Sequence, residues 1–476
     1  MRPSANIVIT VAAALLAGCA TTRPPVRPPV PLAEGYSLPA GRLDPALWWQ
    51  ERMNDPSLAA VVAAGLQDAP DLAAAIARVE AARARVRGAR AAQAPDLALN
   101  GAITRSRTAP ATLGIDPVPP GFLRDRTLFS TDLSASFDPD VFGRLRATAR
   151  AARLRLDAAD ADARAVRLTL VTDIARNWVA VRAANAQLAV ARDNLVAARE
   201  LETLAAVRAR AGLVPGIDAV RAASLAHEAQ AALAPLTEAR AARLAALTTL
   251  TGLPQDRVAA IVGDGPLPDF GPLPATAIPA ALLVNRPDII AASRRLAAAD
   301  AETAAQVAAR WPRFDITAVV GAASLAIGDL FGSAAGTASL GAGLTMPILD
   351  FGRNKARVAE QKALAAEAYA NYRASVLSAV SDVETNLAAA VARADQQAAF
   401  AAQQAADGEA VTIATIQYRR GLADMLVVLD ATRTSNRSRN QLVAAQAARL
   451  DAELALFRAI GTGLEAAVPA IADGGK

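Results

Sequence analysis

The chain of 476 residues contains a single cysteine and a single histidine, and aromatic residues make up only 4% of it. One cysteine cannot form a disulfide within the chain, and so few Cys and His side chains argue against a metal site built from them. Hydrophobic residues reach 53%, but many of these are alanine. Because large apolar side chains are sparse and alanine and arginine favour helix, the composition indicates a mainly helical protein without several thick globular cores.

A recognisable set of catalytic residues is also missing. There is no Ser-His-Asp set, and "GLVPG" at 212–216 lacks the Lys-Ser/Thr pair and the strand–helix context of a phosphate-binding loop. The net charge is +5, but the arginines are interleaved with Asp and Glu and there is no aromatic-rich basic patch. We therefore expect no enzyme, no metal site and no nucleic-acid partner, and we interpret His227 as a packing or surface residue.

The start of the chain has the pattern of a bacterial secretory signal. Arg2 precedes the apolar stretch "IVITVAAALLAG", which suits a signal and is too short to span a bilayer as a helix. The sequence "LAGC" that ends at Cys19 resembles a lipobox, which implies cleavage before Cys19 and attachment of diacylglycerol and N-acyl lipid to it. Ala20, in place of aspartate, implies sorting to the outer membrane. A plain signal peptide with an incidental cysteine is the alternative.

A proline-rich segment follows the cysteine. Its sequence "TTRPPVRPPVPLAEG" cannot support a helix or a central strand and favours an extended spacer. We assign residues 1–18 to a signal peptide and residues 19–41 to a lipid-anchored tether.

The rest of the chain contains two copies of one sequence pattern. One group of landmarks recurs at an offset of 209, and a second group upstream recurs at 217, so the extra residues fall in one longer loop of the first copy. The pairs at 209 are "FGR" at 142–144 and 351–353, Gly212 and Gly421, and Gly252 and Gly461. Those at 217 are "PDL" at 70–72 and "PDI" at 287–289, and Pro95 and Pro312. Matches this consistent indicate an internal duplication.

Each copy contains two segments in which apolar and small polar residues alternate. We predict strands at about 95–106 and 127–138 in the first copy, and at about 312–322 and 336–347 in the second. Segments of about ten residues with this period suit membrane β-strands, although the edge of a soluble sandwich is an alternative. Four strands cannot close a barrel, and open edges are not tolerated in lipid. Membrane strands would thus require an oligomer, with eight strands from a dimer or twelve from a trimer.

A very long stretch without proline follows each strand pair, at 144–210 and 353–420. As a helix, each stretch would be about 100 Å long, and its apolar residues recur at intervals of three and four. Each stretch ends at a glycine, after which we predict a shorter return helix, at 217–250 and 424–460. A Pro/Gly-rich segment joins the two copies.

These features together resemble the TolC-like family of outer-membrane factors, in its NodT-type lipoprotein branch. The motifs that carry the resemblance are "LAGC", "WWQERMNDPSL" (48–58), "NRPDI" (285–289), "WPRFDITAVVG" (311–321), "PILDFGR" (347–353) and "YRRGLADMLVVLDATR" (418–433). The resemblance implies a mainly α fold with a membrane β-barrel, in which a homotrimer forms a 12-stranded barrel and an α-helical periplasmic tunnel. It also implies passive efflux, with substrate delivered by a periplasmic adaptor and an inner-membrane pump.

The resemblance further implies a periplasmic gate at the tips of the helical hairpins. In such a gate Tyr418 of the second hairpin would pair with Asp218 of the first, and Asp430 would form an aspartate ring. Asp424 lies where several lipoprotein members carry an acid. A second ring acid of some relatives corresponds to Val427 here, which leaves one ring or two open. The alternative for Asp430 is a solvated helix residue.

The resulting domain assignment covers the whole chain. Beyond the signal and tether, we place a first repeat at 42–254, an equatorial linker at 255–279, a second repeat at 280–465 and a tail at 466–476. Two other functions fit part of the pattern. One is the outer duct of a protein-secretion system, and the other is a coiled-coil scaffold lipoprotein that forms no channel.

Overall fold

The computed structural model describes residues 55–107, 125–268 and 286–461. Cys19 and the predicted signal, tether and C-terminal tail lie outside these residues. In chain order the elements are α1 (Pro56–Asp68), α2 (Pro70–Ala91), β1 (Asp96–Ser106), β2 (Arg126–Phe137), α3 (Arg144–Arg210), α4 (Gly216–Ala231), α5 (Leu233–Thr251), α6 (Gln255–Val262), α7 (Pro287–Ala308), β3 (Arg313–Ser324), β4 (Gly336–Thr345), α8 (Arg353–Arg419) and α9 (Met425–Ile460).

The lengths of the elements repeat along the chain. The two long helices α3 and α8 each have 67 residues and begin 209 positions apart, at Arg144 and Arg353. Helices α2 and α7 each have 22 residues and begin 217 positions apart, at Pro70 and Pro287. These are the two offsets that the sequence motifs give, so the duplication predicted from the sequence is confirmed in the backbone.

The first return helix differs from its prediction. Instead of one helix over 217–250, the chain forms α4 and α5, which are separated at Ala232. Pro235 lies in the first turn of α5 and has no N–H with which to continue the hydrogen bonds of α4. Alanine occupies the position 209 residues later, and there α9 continues unbroken for 36 residues. The predicted linker also begins with a short helix, α6.

The strands lie in the first of two compact units, which contains residues 80–158 and 293–371. They form one antiparallel sheet in the order β1-β2-β3-β4. In its cross-strand register Leu99 lies opposite Leu133, and Leu133 lies opposite Val320. Directly opposite residues share a face, so these side chains form one apolar face, and the three are 79%, 50% and 62% exposed.

The opposite face of the sheet is small and polar. Asn100 lies opposite Asp132, and its side-chain amide donates hydrogen bonds to the Asp132 carboxylate at 3.0 Å and to the Ser134 hydroxyl at 3.0 Å. Gly321 completes the row, and a Cβ there would lie 2.4 Å from the Thr131 carbonyl oxygen. Glycine therefore lets β2 and β3 approach closely at this point.

The second unit contains the described residues from 55–79, 159–268, 286–292 and 372–461. One of its cores surrounds Trp178, which is fully buried between residues of α1, α3, α5, α6 and α9. The Trp178 indole N–H donates to the Ser57 hydroxyl at 3.0 Å, and the Arg182 guanidinium lies 5.1 Å from the indole ring centre. A second core joins α7, α8 and α9 around Val383 and Leu387.

A buried arginine connects the three helices of that second core. Arg286 donates hydrogen bonds to the Ala459 carbonyl at the end of α9 and to Asp288 at the start of α7, and it lies 3.4 Å from Asp382 on α8. Burial alone would lower the pKa of Arg286, but hydrogen bonds and charges from Asp288 and Asp382 hold it above its ordinary value. Burial would raise the pKa of Asp288, but Arg286 and the Ile289 N–H hold it below.

None of the described helices is by itself both long and apolar enough to cross a bilayer. The pair α1 and α2, bent by 43°, meets the requirement for length and composition.

Candidate gate at the helical hairpin tips

The two helical hairpins turn in the same way. In the first, the Gly212 N–H donates to the Ala209 carbonyl and the Leu213 N–H to the Arg208 carbonyl. In the second, the Gly421 and Leu422 N–H groups donate to the carbonyls of Tyr418 and Gln417. Both glycines have positive φ, +67° and +76°, which is the left-handed helix cap that glycine adopts without strain. Glycine therefore fixes where each hairpin ends.

The two tips pack on each other in the second unit. Ala205 of α3 and Leu225 of α4 form one cluster with Tyr418 of α8 and with Met425 and Leu429 of α9. Alanine at the contact positions permits a close approach of the helices. Further along, Glu228 of α4 forms an exposed ion pair with Arg433 of α9 at 3.1 Å.

Tyr418 is almost completely buried at this contact, with 2% of its surface exposed. Its phenolic oxygen is buried and has no hydrogen-bond partner in the described part of the chain. The hydrogen bond expected between Tyr418 and Asp218 is therefore not formed within one chain. Asp218 is half-buried in the first turn of α4. Pairing across two protomers stays a prediction.

Arg208 contacts both the backbone and the ring of Tyr418, a role that is not predicted by the sequence pattern. Its guanidinium donates to the Tyr418 carbonyl at 3.2 Å and lies 4.8 Å from the ring centre. A cation over an aromatic face is attracted by the ring quadrupole, by about 0.5–2 kcal/mol depending on exposure. The only local signal is a basic residue in the last turn of α3, where a cation suits the helix dipole.

The two acids of the second hairpin lie on its surface. Asp424 is the residue before α9, and its side chain makes no capping hydrogen bond. Asp430 is exposed at the second turn of α9, four residues after Leu426, which is 58% exposed. Both carboxylates are thus free to face a second copy or a pore, as a ring would require.

Exposed apolar residues surround both turns. Leu213 and Ile217 of the first hairpin are 69% and 55% exposed, and Leu422 and Leu426, at the positions 209 residues later, are 74% and 58% exposed. Exposed apolar patches of this kind mark surfaces that contact other proteins. Across the described ranges, no group of three or more His, Cys, Asp or Glu side chains could hold a metal ion.

Comparison with known proteins identifies the family. Residues 61–253 and 278–462 match the family described as "Outer membrane efflux protein". The chain is 31% identical to the probable efflux pump outer membrane protein SepC of Pseudomonas putida, over 96% of both chains. It is 29% identical to nodulation protein T of Rhizobium leguminosarum bv. trifolii, over 88% of this chain and 89% of that one.

Among solved structures, the chain is similar to the open state of the MtrE outer membrane channel of Neisseria gonorrhoeae. The TM-score is 0.81 at 27% sequence identity, over 94% of this chain and 99% of the other. The chain therefore belongs to the outer membrane efflux protein family. It is the outer-membrane component of an efflux system, and the TolC-like, NodT-type resemblance inferred from its motifs is confirmed.

Proposed function

We propose that three copies of this chain form a passive export duct. Their twelve strands would close a barrel in the outer membrane, and their long helices would form a periplasmic tunnel. The observation that carries this proposal is the four-stranded sheet with apolar side chains exposed along one face. In the described part of the chain nothing covers Leu97, Leu99 or Leu340, which are 67–80% exposed. A lipid surround is the environment that suits such a face.

The number of strands supports assembly. Strands β1 and β4 lie at the two edges of the sheet. Unpaired backbone groups at an edge cost several kcal/mol each in lipid, and four strands are too few to close on themselves. Closure with other copies removes both edges, and a trimer supplies twelve strands around a polar interior lined by residues such as Asn100 and Asp132.

The hairpin tips are the proposed gate of the duct. In a trimer, Asp430 would recur three times around the pore, where carboxylates attract cations and repel anions. Arg208 fastens Tyr418 within each chain. If assembly rearranges the tip so that the buried Tyr418 phenol is exposed, a hydrogen bond from it to Asp218 of a neighbouring hairpin would be charge-assisted, worth about 1.5–3 kcal/mol. Three hydrogen bonds of this strength in a trimer would stabilise the closed tips and would still allow them to open.

Partners follow from the position of the gate. The apolar tips around Leu213 and Leu422 suit docking of a periplasmic adaptor, which would connect the duct to an inner-membrane pump. Small molecules such as drugs, toxic compounds or metal ions would be the cargo, and no cofactor is needed because the duct performs no chemistry. Diacylglycerol and N-acyl lipid on Cys19 would anchor the chain, with about 0.8 kcal/mol for each buried methylene.

The two alternative functions are disfavoured to different degrees. A coiled-coil scaffold lipoprotein needs no strands, whereas the structure contains a four-stranded sheet with an exposed apolar face. The duct of a protein-secretion system would share the fold. The lipobox favours small-molecule efflux, and the identity of the genes beside this one would distinguish the two.

The anchor is tested by the Cys19→Ser variant. Mass spectrometry of the mature N-terminus should find the parent chain starting at residue 19 with two added lipids, and the variant without lipid. A parent chain that is unmodified and starts elsewhere would contradict the anchor but not the duct.

The barrel is tested by the matched variants Leu133→Arg and Ser136→Arg. These side chains lie three positions apart on β2, on the apolar and the polar face respectively. Arginine on a lipid face costs about 2–4 kcal/mol near the bilayer midplane, whereas substitutions in the lumen are tolerated better. The parent and Ser136→Arg should be trimeric in detergent, and Leu133→Arg should assemble poorly. A stable parent monomer that inserts and conducts would overturn the trimer.

A further inference from the structure

The internal duplication extends to the hydrogen-bonded register of the strands. In the β-hairpin of the first repeat, formed by β1 and β2, Asp96 lies opposite Ser136. Moving Asp96 forward by 217 positions gives Arg313, and moving Ser136 forward by 209 gives Thr345. Arg313 and Thr345 are indeed opposite each other in the β-hairpin of the second repeat, formed by β3 and β4. Adding the two offsets to the residue pairs of β1 and β2 therefore gives the residue pairs observed between β3 and β4.

The chain also contains one junction between its two repeats, namely the pairing of β2 with β3. There Ser130 lies opposite Ala323, and Asp132 lies opposite Gly321. The reverse junction, in which the second repeat precedes the first, would join β4 to β1. Those strands are the opposite edges of one sheet, so the reverse junction can only form between two copies.

We infer that β4 of each protomer pairs with β1 of the next in the register of the β2–β3 junction, shifted by the two offsets. This inference rests on the trimeric duct proposed above, and the partner is a second copy of this chain. Moving β2 residues forward by 209 and β3 residues back by 217 gives the contacts. They place Ser339 opposite Ser106 of the partner subunit, Gly341 opposite Thr104, Ala342 opposite Ile103, and Leu344 opposite Gly101.

The side chains at this junction agree with the register. Ala342 and Leu344 lie on the apolar face of β4, and they meet Ile103 and Gly101 of the apolar face of β1. A register shifted by one residue would place apolar residues of one strand beside polar residues of the other. In both of these pairs a larger side chain faces a smaller one, which favours close packing, whereas the same register places Leu340 opposite Arg105 near the end of β1.

A shift by two residues keeps each face intact, so the register itself must be measured. Directly opposite Cα atoms are about 4.5–5.5 Å apart, within the range that a disulfide spans, about 4.4–6.8 Å. Pairs displaced by two residues lie beyond that range. Edge strands of one four-stranded sheet are separated by about 14 Å, so an engineered β1–β4 disulfide must join two chains.

The test uses four positions on the polar face in a two-by-two design. The pairs Ser339→Cys with Ser106→Cys, and Gly341→Cys with Thr104→Cys, match the inferred register. The pairs Ser339→Cys with Thr104→Cys, and Gly341→Cys with Ser106→Cys, are displaced by two residues in opposite directions. Each substitution thus occurs once in a matched pair and once in a displaced pair.

The full-length protein would be oxidised in outer membranes with copper–phenanthroline and run on a denaturing gel without reductant. The matched pairs should shift the band from one chain, 48.9 kDa before processing, to the mass of three linked chains. The displaced pairs should remain at one chain. Ser130→Cys with Ala323→Cys is the control, since it copies the junction that lies within one chain and should link without a change in mass. The parent controls for Cys19.

The possible failures are distinguishable. If a displaced pair forms the linked trimer and the matched pairs do not, the register is wrong although the trimeric duct stands. If no β1–β4 pair links while the Ser130–Ala323 control does, the edges do not meet, and a monomeric mass in detergent would then overturn the proposed duct as well.

Discussion

The two repeats share one backbone plan but stabilise it with different side chains. Trp178 and Leu387 lie at equivalent positions, 209 residues apart on α3 and α8. In the first repeat the indole is fully buried and donates to Ser57. In the second, Leu387 is 9% exposed, and the buried Arg286 adds a charged connection that the first repeat lacks, because Ala69 occupies its place.

Some polar residues have nevertheless been kept in both copies. Asp173 and Asn177 of α3 correspond to Asp382 and Asn386 of α8, and each asparagine side chain donates to the aspartate carbonyl four residues earlier, at 2.9 and 2.7 Å. Helix lengths, glycine turns and strand register are shared by the two repeats, so these features define the duplicated scaffold. The large side chains of the two cores, such as Trp178 and Leu387, differ between the repeats.

The largest expected effect comes from Trp178→Ala. Removing a fully buried tryptophan costs about 3–5 kcal/mol, and Leu387→Ala in the second repeat should cost about 2 kcal/mol, at the low end for leucine, since its site is less buried. Trp178→Leu, which copies the second repeat, should lie between them. Guanidinium chloride unfolding in detergent, followed by circular dichroism, measures the order. Equal losses for Trp178→Ala and Leu387→Ala would mean that the two cores contribute alike.

The next effect tests the charged connection that is particular to the second repeat. Arg286→Met should destabilise the protein by about 1–3 kcal/mol, because the buried Ala459 carbonyl loses its donor. The control is Arg433→Met, which removes the exposed pair with Glu228 and should cost at most about 1 kcal/mol. The same unfolding assay applies. A loss for Arg286→Met no larger than that of the control would show that the connection is dispensable.

A smaller effect should depend on pH. The pKa of Asp288 is held below its ordinary value by Arg286, so its contribution to stability is present above about pH 4, the ordinary value, and is lost as the pH falls through the folded-state pKa. Asp288→Asn should therefore be less stable than the parent near neutral pH, and the two should converge in acid. Asp71→Asn, at the equivalent position of the first repeat, is the control. A gap for Asp288→Asn that stays constant with pH would contradict the assignment.

The smallest effect concerns the broken return helix. Pro235→Ala should restore the missing N–H and let α4 and α5 join, as α9 does in the second repeat. Because proline is tolerated in a first helical turn, we expect a change in stability below about 1 kcal/mol and a slight gain of helical signal in circular dichroism. A large loss of stability would show that the break itself is required.

Much of the scaffold could be predicted from the sequence because its signals are local and occur twice. The absence of proline defined the long helices, glycine defined their ends, and alternation defined the strands and the face that each residue takes. The break at Ala232 was missed because the return helix was predicted as one element over 217–250, without allowance for the missing N–H of Pro235.

The candidate site was less predictable because it depends on contacts distant in sequence. The hairpin positions of Tyr418, Asp218 and Asp430 follow from the spacing to the turn glycines. The contact between Arg208 and Tyr418 joins residues 210 positions apart. No local sequence pattern indicates which arginine of α3 contacts the Tyr418 ring. Arg286 likewise reaches Ala459 across 173 positions, so its role emerged only from the folded chain.

The central claim, a gated duct made of three chains, is tested most directly by single-channel recording in planar bilayers. The purified parent should insert, conduct weakly and prefer cations. Asp430→Ala should lose much of that preference and its block by multivalent cations, and Tyr418→Phe with Asp218→Ala should raise the conductance. Asp395→Ala, an exposed aspartate of α8 more than twenty residues before the turn, should behave like the parent. A parent that does not conduct would contradict the duct, and gate variants that conduct and select ions like the parent would contradict the gate.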